Sequence, residues 1–104
     1  MSPKPESRLV TKILKKIRAE GGWWFKSHGS VYQMSGVPDI IGCHDGMFVA
    51  FEVKMPGQET NTSSRQEWMM KKIHEAGGVS AVVSSVHGAL GVLRLLDIAK
   101  EQDV

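Results

Sequence analysis

The chain has 104 residues, which is enough for one hydrophobic core and leaves no room for a separate recognition domain. Its hydrophobic content of 41% is ordinary for a globular protein, and its formal net charge of +2 permits a polyanionic partner without demanding one. The single cysteine, Cys43, excludes an internal disulfide framework and favours a reducing compartment. Because no apolar run approaches about 18 residues, we predict no membrane span. Together with the single cysteine and the polar N-terminus, this favours a cytoplasmic protein. We predict one domain over residues 1–104.

The first predicted element is an amphipathic helix that begins at Ser2 and ends before Gly21. Its apolar side chains recur at helical spacing, and Glu6 lies on their face, one turn before the first of them. Glu20 is also in phase with this face, but it stands at the end of the helix, where the helix dipole disfavours an acid. The opposite face is basic, with Arg8, Lys12, Lys15 and Lys16. We interpret it as a solvated face, and a DNA-binding stripe is the alternative.

Three short strands are predicted after this helix. The first covers WWFKSH, and we interpret its aromatic residues as core or subunit-contact residues, with base stacking as the alternative: Trp23, Trp24 and Phe25. PDIIGCH and MFVAFEVK follow, and Asp45-Gly46 between them is a tight-turn signal. The second and third strands should therefore form a hairpin.

A second helix is predicted over SRQEWMMKKIHEAGG, with the capping-box spacing Ser64…Glu67 at its start and Gly77 at its end. Gln66 should point towards the sheet, because it shares a helix face with Met69, Met70 and Ile73. The chain continues with a buried strand, VSAVVSS, and a last helix, HGALGVLRLLDIAKEQ. The crossover through a helix implies a parallel pair of strands, so the sequence predicts an α/β domain with a mixed sheet covered by helices.

Two carboxylates stand out in the predicted hairpin. In FVAFEVK, strand alternation places Glu52 and Lys54 on one face, while three apolar residues occupy the other. Asp39 begins the neighbouring strand, so it can approach Glu52. Since buried charges are costly unless they are paired or bind a metal, this pair favours a Mg²⁺ or Mn²⁺ site. A solvated hairpin face is the alternative that the spacing leaves open.

Pro38-Asp39 followed by Glu52-Val53-Lys54 matches the PD-(D/E)xK nuclease signature. The wider sequence resembles the VRR-NUC family, particularly its small standalone members in phages and bacteria, and the matching segments are SGVPDIIG, FVAFEVK and TSSRQEWMMKKIHEAGGVSAVV. The resemblance implies a restriction-endonuclease-like αβββαβα core, with a mixed central sheet flanked by helices. It also implies a Mg²⁺-dependent DNA endonuclease, in which Mn²⁺ can substitute for Mg²⁺.

The resemblance implies a role for each motif residue. Asp39 and Glu52 would bind the metal, together with the backbone carbonyl of Val53. Lys54 would orient the attacking water or help to deprotonate it. Gln66 would be an active-site residue that hydrogen-bonds Lys54, water or phosphate. The alternative for Gln66 is a polar group that satisfies backbone donors at the start of its helix.

Glu6 resembles the family's first-helix acid, which would contribute to the metal site directly or through a water molecule. Glu20 is the alternative for this role. Candidate DNA contacts lie in the loop before the motif and at the start of the second helix. They are Lys26, His28, Tyr32 and Arg65.

The small standalone relatives tend to be homodimers that cut branched DNA, such as four-way (Holliday) junctions. The resemblance therefore implies a homodimeric, structure-selective endonuclease that acts in the cytoplasm of a bacterial or phage-infected cell. A nicking or restriction-like nuclease on ordinary duplex DNA is one alternative, and a non-catalytic DNA-binding protein of the same fold is another. The sequence has no phosphate-binding glycine motif and no zinc-like histidine spacing, so we expect no nucleotide cofactor and no zinc site.

Overall fold

The computed structural model describes residues 4–27 and 34–102. The helices of these residues are α1 (Pro5–Ala19), α2 (Ser64–Glu75) and α3 (Val86–Gln102), and none is long and apolar enough to cross a membrane. The strands are β1 (Trp23–Lys26), β2 (Ile40–His44), β3 (Met47–Val53) and β4 (Val79–Val83). The predicted α/β class and αβββαβα order are confirmed. Ser2, the predicted start of the first helix, lies outside the described residues.

The strands of the described residues form one mixed sheet in the order β1-β2-β3-β4. β2 pairs antiparallel with β1 and with β3, so β2 and β3 make the predicted hairpin. Asp45 lies in its turn with a positive φ of 51°, a conformation that Asp adopts more readily than most residues. The chain then returns through α2, and β4 pairs parallel with β3, with Glu52 opposite Val82. The predicted parallel pair is therefore confirmed as well.

One face of the sheet packs against α1 and α3 and holds the hydrophobic core. The core residues of β3 are Val49, Phe51 and Val53, which are fully buried. The buried residues of α1 are Val10, Ile13, Leu14 and Ile17. Because α1 turns its apolar side to the sheet, its basic residues are exposed, which agrees with a solvated face: Arg8, Lys12, Lys15 and Lys16.

The aromatic residues of β1 divide between the two faces of the sheet. Trp24 is buried in the core, where its ring stacks on Phe51 with 5.8 Å between the centroids. Trp23 and Phe25 point to the opposite face and are 65% and 39% exposed. The core interpretation therefore holds for Trp24 and is wrong for Trp23 and Phe25, because successive strand residues alternate between faces. For these two residues, subunit contact and base stacking stay predictions.

α2 lies on the opposite face of the sheet and begins with a capping box. The hydroxyl of Ser63 accepts a hydrogen bond of 3.1 Å from the amide of Gln66, and the amide of Ser63 donates to Oε1 of Gln66 at 2.9 Å. The predicted box of Ser64 and Glu67 is therefore wrong by one residue, since Ser63 and Gln66 satisfy the same spacing one position earlier. Glu67 instead accepts a hydrogen bond from the hydroxyl of Thr62.

Candidate active site

Asp39 is held against the end of β3 by hydrogen bonds from two parts of the chain. Its Oδ2 accepts a hydrogen bond of 2.8 Å from the amide of Val53, the last residue of β3. Its backbone carbonyl accepts a hydrogen bond of 2.9 Å from the amide of Ser27, whose hydroxyl donates to the carbonyl of Pro38 at 2.6 Å. The Pro38-Asp39 turn is therefore fixed with its carboxylate facing β3. The sequence carries no distinctive pattern that would identify Ser27 in this role.

Glu52 is almost completely buried, with 3% of its surface exposed. Gln66 donates a hydrogen bond of 3.1 Å from Nε2 to Oε1 of Glu52. The Nζ of Lys54 lies 4.0 Å from the same oxygen and donates a hydrogen bond of 3.3 Å to Oε1 of Gln66. The structure therefore brings Glu52, Lys54 and Gln66 together as one connected group beside Asp39.

Gln66 makes the contacts expected for both alternatives, and its role in an active site stays a prediction. Its Oε1 accepts hydrogen bonds from the amide of Ser63 and from Lys54, while its Nε2 donates to Glu52. The capping box thus fixes the orientation of the side-chain amide, with its acceptor towards the amine and its donor towards the carboxylate. One side chain both completes the start of α2 and positions two residues of the site.

The buried carboxyl group of Glu52 has a strongly raised pKa. The pKa of Glu52 is raised to about 8, first by burial and then by the negative charge of Asp39 and a hydrogen bond between the two carboxyl groups. Lys54 lowers this pKa, and Glu6 adds a smaller upward shift. Glu52 is therefore protonated and donates to Asp39. A divalent cation would replace this proton, and the oxygen donors fit a hard cation such as Mg²⁺ or Mn²⁺.

Glu6 differs from Asp39 and Glu52 in its exposure to solvent. It lies in the first turn of α1 with an exposed side chain and acts on Glu52 through its charge. Within residues 4–27 and 34–102, no group of three or more Asp, Glu, His or Cys side chains is arranged to hold a metal ion. The described residues therefore bring together the pair Asp39 and Glu52 from the predicted ligand set, and direct metal binding by Glu6 stays a prediction. Contributions of Glu6 through water and of the Val53 carbonyl stay predictions.

Glu20, the alternative helix-borne acid, lies at the other end of the sheet. It lines a pocket with His44 and Asp97. His44 is the last residue of β2, five residues beyond Asp39, which corresponds to about 17 Å along a strand. Of the two acids, Glu6 is therefore the one whose charge reaches the carboxylate pair.

Arg65, one of the predicted DNA contacts, is exposed at the start of α2. Its Nε donates a hydrogen bond of 3.0 Å to the hydroxyl of Ser35, in the segment that leads to the Pro38-Asp39 turn. Gly36 permits this close approach, since it has a φ of 81° and an added Cβ there would lie 2.6 Å from the carbonyl oxygen of Arg65. Arg65 is therefore fixed near the site rather than free on the surface.

Lys26 is another predicted DNA contact, and it lies within the described residues. Lys26 is exposed, but it pairs with the core residue Ile40 and so lies on the α1 face of the sheet, opposite to the face of Glu52. Contact of Lys26 with DNA therefore stays a prediction. His28 and Tyr32 lie outside the described residues.

The comparisons with known proteins bear on the fold. No protein-family model matches the chain, and no curated protein matches it. A solved structure described as a VRR_NUC domain protein matches with a TM-score of 0.67, and the match covers 91% of this chain and 89% of that chain at 12% sequence identity. The chain therefore has the fold of a VRR_NUC domain protein, which supports the resemblance to the VRR-NUC family that its motifs indicate.

Proposed function

We propose that this protein is a Mg²⁺-dependent DNA endonuclease of the VRR-NUC family. The observation that carries the proposal is the setting of Glu52, a buried acid whose pKa is raised beside Asp39 and whose Oε1 lies 4.0 Å from the amine of Lys54. A buried acid pair destabilises a small domain unless it binds a cation, and strongly shifted pKa values are typical of functional sites. The fold match to a VRR_NUC domain protein supports the same function.

Asp39 and Glu52 would hold the cation. A bound Mg²⁺ supplies a Lewis acid for the phosphate oxygens and lowers the pKa of a water molecule. Asp39 keeps a fixed orientation, because the amide of Val53 holds its Oδ2. Glu52 would give up its proton on metal binding while its Oε1 stays in contact with Gln66.

Lys54 would orient the attacking water and offset the charge of the phosphate. Its side chain is only 14% exposed, so its attraction to an anion is weakly screened by solvent. Gln66 holds the ammonium through Oε1 and holds Glu52 through Nε2, which fixes the amine relative to the acid pair. Gln66 is therefore a positioning residue in this proposal.

The proposed substrate is branched DNA, such as a four-way junction, cut by a homodimer. The support is the resemblance to small standalone nucleases that the motif segments carry. Two active sites related by a twofold axis suit two symmetric incisions. Cutting of ordinary duplex DNA and DNA binding without catalysis are the two alternatives.

A panel of labelled DNA substrates tests the proposal. Intact duplex, nicked duplex, a flap and a four-way junction are incubated with the protein in Mg²⁺, Mn²⁺ or EDTA. We expect cleavage with either metal, none in EDTA, a preference for the branched substrates, and no cleavage by Asp39→Asn. Equal cutting of plain duplex would contradict the branched substrate, and intact DNA in every metal-containing reaction would contradict the nuclease itself.

A further inference from the structure

α2 covers only part of the sheet face that carries Glu52. It is tied to β4, where the hydroxyl of Ser80 donates to the carbonyl of Met70 and a ring nitrogen of His74 lies 3.2 Å from the carbonyl of Ser80. On the other flank of α2, Ala50 of the same sheet face is buried, but several aromatic side chains of the described residues are exposed. The aromatic residues exposed there are Trp23, Phe25 and Phe48.

These aromatic residues lie in register with the acid pair. Strand pairing across β2 places Trp23 and Phe48 in one row of the sheet and Phe25 and Ala50 in the next, and Glu52 follows in the row after that. Successive rows on one face are about 7 Å apart, because same-face residues are two positions apart on a strand. Trp23, Phe25 and Phe48 together are called the aromatic surface. It begins beside the candidate active site and extends about 14 Å away from it.

One flank of α2 forms a cationic wall along this surface. The guanidinium of Arg65 lies over the indole of Trp68, 4.5 Å from the ring centroid, and the ammonium of Lys72 lies 5.5 Å from it. Trp68 is 41% exposed. Glu75 pairs with Lys72 at 3.3 Å, but both side chains are half exposed, so a phosphate can replace it. Lys72 also lines an open pocket with Phe48, which is where the cationic wall meets the aromatic surface. The wall and the aromatic surface together are called the groove below.

We propose that this groove binds an unpaired DNA strand that leads to the active site. Arg65 and Lys72 would contact its phosphates, and the aromatic rings would stack on its bases. Bases present their faces to protein only where they are unpaired or unstacked, and the guanidinium on Trp68 offers one more plane for stacking. The inference rests on the proposed nuclease function and narrows the substrate to branched DNA with unpaired nucleotides next to the cut.

A second copy of the chain is the other occupant that an aromatic face can take. A twofold contact through this groove would bring four cations, Arg65 and Lys72 of each copy, into one interface. Like charges facing each other disfavour such an interface, whereas they attract a polyanionic strand. The positive charge of the wall therefore favours a DNA strand over a second copy of the chain as the occupant of the groove. Measurement of the oligomeric state tests this choice.

Strand binding is measured by fluorescence anisotropy in EDTA, with a labelled oligothymidylate and a duplex of equal length as probes. The parent should bind the oligothymidylate more tightly than the duplex. Trp68→Leu and Phe48→Leu should each weaken binding of the oligothymidylate about 5- to 100-fold, the range for one lost base stack, while Trp68→Phe keeps most of the affinity. Arg65→Ala should lower the slope of log affinity against log salt by about 1.

Two substitutions outside the groove serve as matched controls. Lys71→Ala removes a cation from the same helix, and Leu95→Ala removes an exposed apolar side chain from α3. Both should bind the strand like the parent. Groove variants that also bind like the parent would overturn the inference. A parent dimer that dissociates in Phe48→Leu during analytical ultracentrifugation would overturn it too, because the face would then be a subunit contact.

The binding assay separates this inference from the nuclease proposal. It contains no metal and requires no chemistry, so groove-dependent binding by a protein that never cuts DNA would overturn the nuclease proposal alone. If the parent, Trp68→Leu and Phe48→Leu all cleave DNA with the same KM, the groove inference is overturned and the nuclease proposal stands.

Discussion

Gln66 donates a hydrogen bond of 3.1 Å to Glu52, and this contact joins the start of α2 to the end of β3. The same side chain accepts hydrogen bonds from Lys54 and from the capping residue Ser63. The first turn of the helix and the site are therefore organised by one amide. A change at Gln66 should affect the chemistry more than the stability of the fold.

Gln66→Ala tests this relationship. The variant loses the donor to Glu52 and the acceptor for Lys54, so we expect single-turnover cleavage to slow about 10- to 100-fold, as for other residues that support a metal site. The free energy of unfolding in urea should fall by about 0.5–1.5 kcal/mol, since one capping hydrogen bond is lost. Gln58→Ala, which removes a glutamine that contacts Asn61 in an exposed turn, is the control. Equal cleavage rates in the two variants would show that Gln66 does not position the site.

The raised pKa of Glu52 makes the stability of the metal-free protein depend on pH. The pKa of Glu52 is about 8 in the folded protein and 4.5 in an unstructured chain, so between these values the folded state keeps a proton that the unfolded state releases. The free energy of unfolding should therefore fall as the pH rises from about 5 to about 8, by at most about 1.4 kcal/mol per pH unit.

Glu52→Gln separates this effect from the titration of the histidines. Glutamine has nearly the shape of a protonated glutamate and does not titrate. In EDTA the variant and the parent should be about equally stable near pH 5, and the variant should be the more stable protein near pH 8. Urea unfolding at the two pH values measures the difference. A stability difference that is the same at both would rule out the raised pKa of Glu52.

Lys54→Ala removes the amine and leaves both carboxylates in place. We expect Mg²⁺ affinity close to that of the parent and a single-turnover rate about 10²- to 10⁴-fold lower, the range for loss of a proton-transfer group. Lys12→Ala, which removes an exposed cation of α1, is the matched control and should cleave like the parent. Similar rates in the two variants would leave Lys54 without a chemical role.

Ser27→Ala tests the support of the Pro38-Asp39 turn. It removes the hydrogen bond of 2.6 Å to the carbonyl of Pro38, and the protein should lose about 1 kcal/mol of stability together with part of its Mg²⁺ affinity. Ser85→Ala removes a hydroxyl that accepts from the amide of Gly88, and its loss of stability should be similar at about 1 kcal/mol. If both variants bind Mg²⁺ equally well in a thermal-shift titration, then Ser27 supports the fold alone.

Much of the fold and the acid pair could be predicted from short-range patterns. Strand alternation places Glu52 and Lys54 on one face of β3, and the hairpin signal at Asp45 brings Asp39 to the end of that strand. These predictions depend on residues that are neighbours in sequence or opposite each other across one turn. The alternation of strand residues predicts the face on which each side chain lies, and the turn residues predict which strands pair.

The contacts between elements could not be predicted in the same way. The exposure of Glu6, the hydrogen bond from Ser27 to Pro38 and the bridge that Gln66 makes depend on side-chain rotamers and on the distances between packed elements. The periodicity of a helix or strand predicts on which face of the element a residue lies. It does not predict how close the side chain comes to residues of another element. The capping box fell one residue away from its predicted position because two overlapping pairs, one beginning at Ser63, have the same spacing.

Isothermal titration calorimetry of Mg²⁺ into the metal-free protein, in buffers with different heats of ionisation, tests the central claim most directly. We predict binding near pH 7 with release of about one proton per cation, since Glu52 must lose the proton that its raised pKa retains. Asp39→Asn should lose most of the Mg²⁺ affinity. Binding without proton release, at an affinity that Asp39→Asn leaves unchanged, would contradict the assignment of these two carboxylates as the metal site.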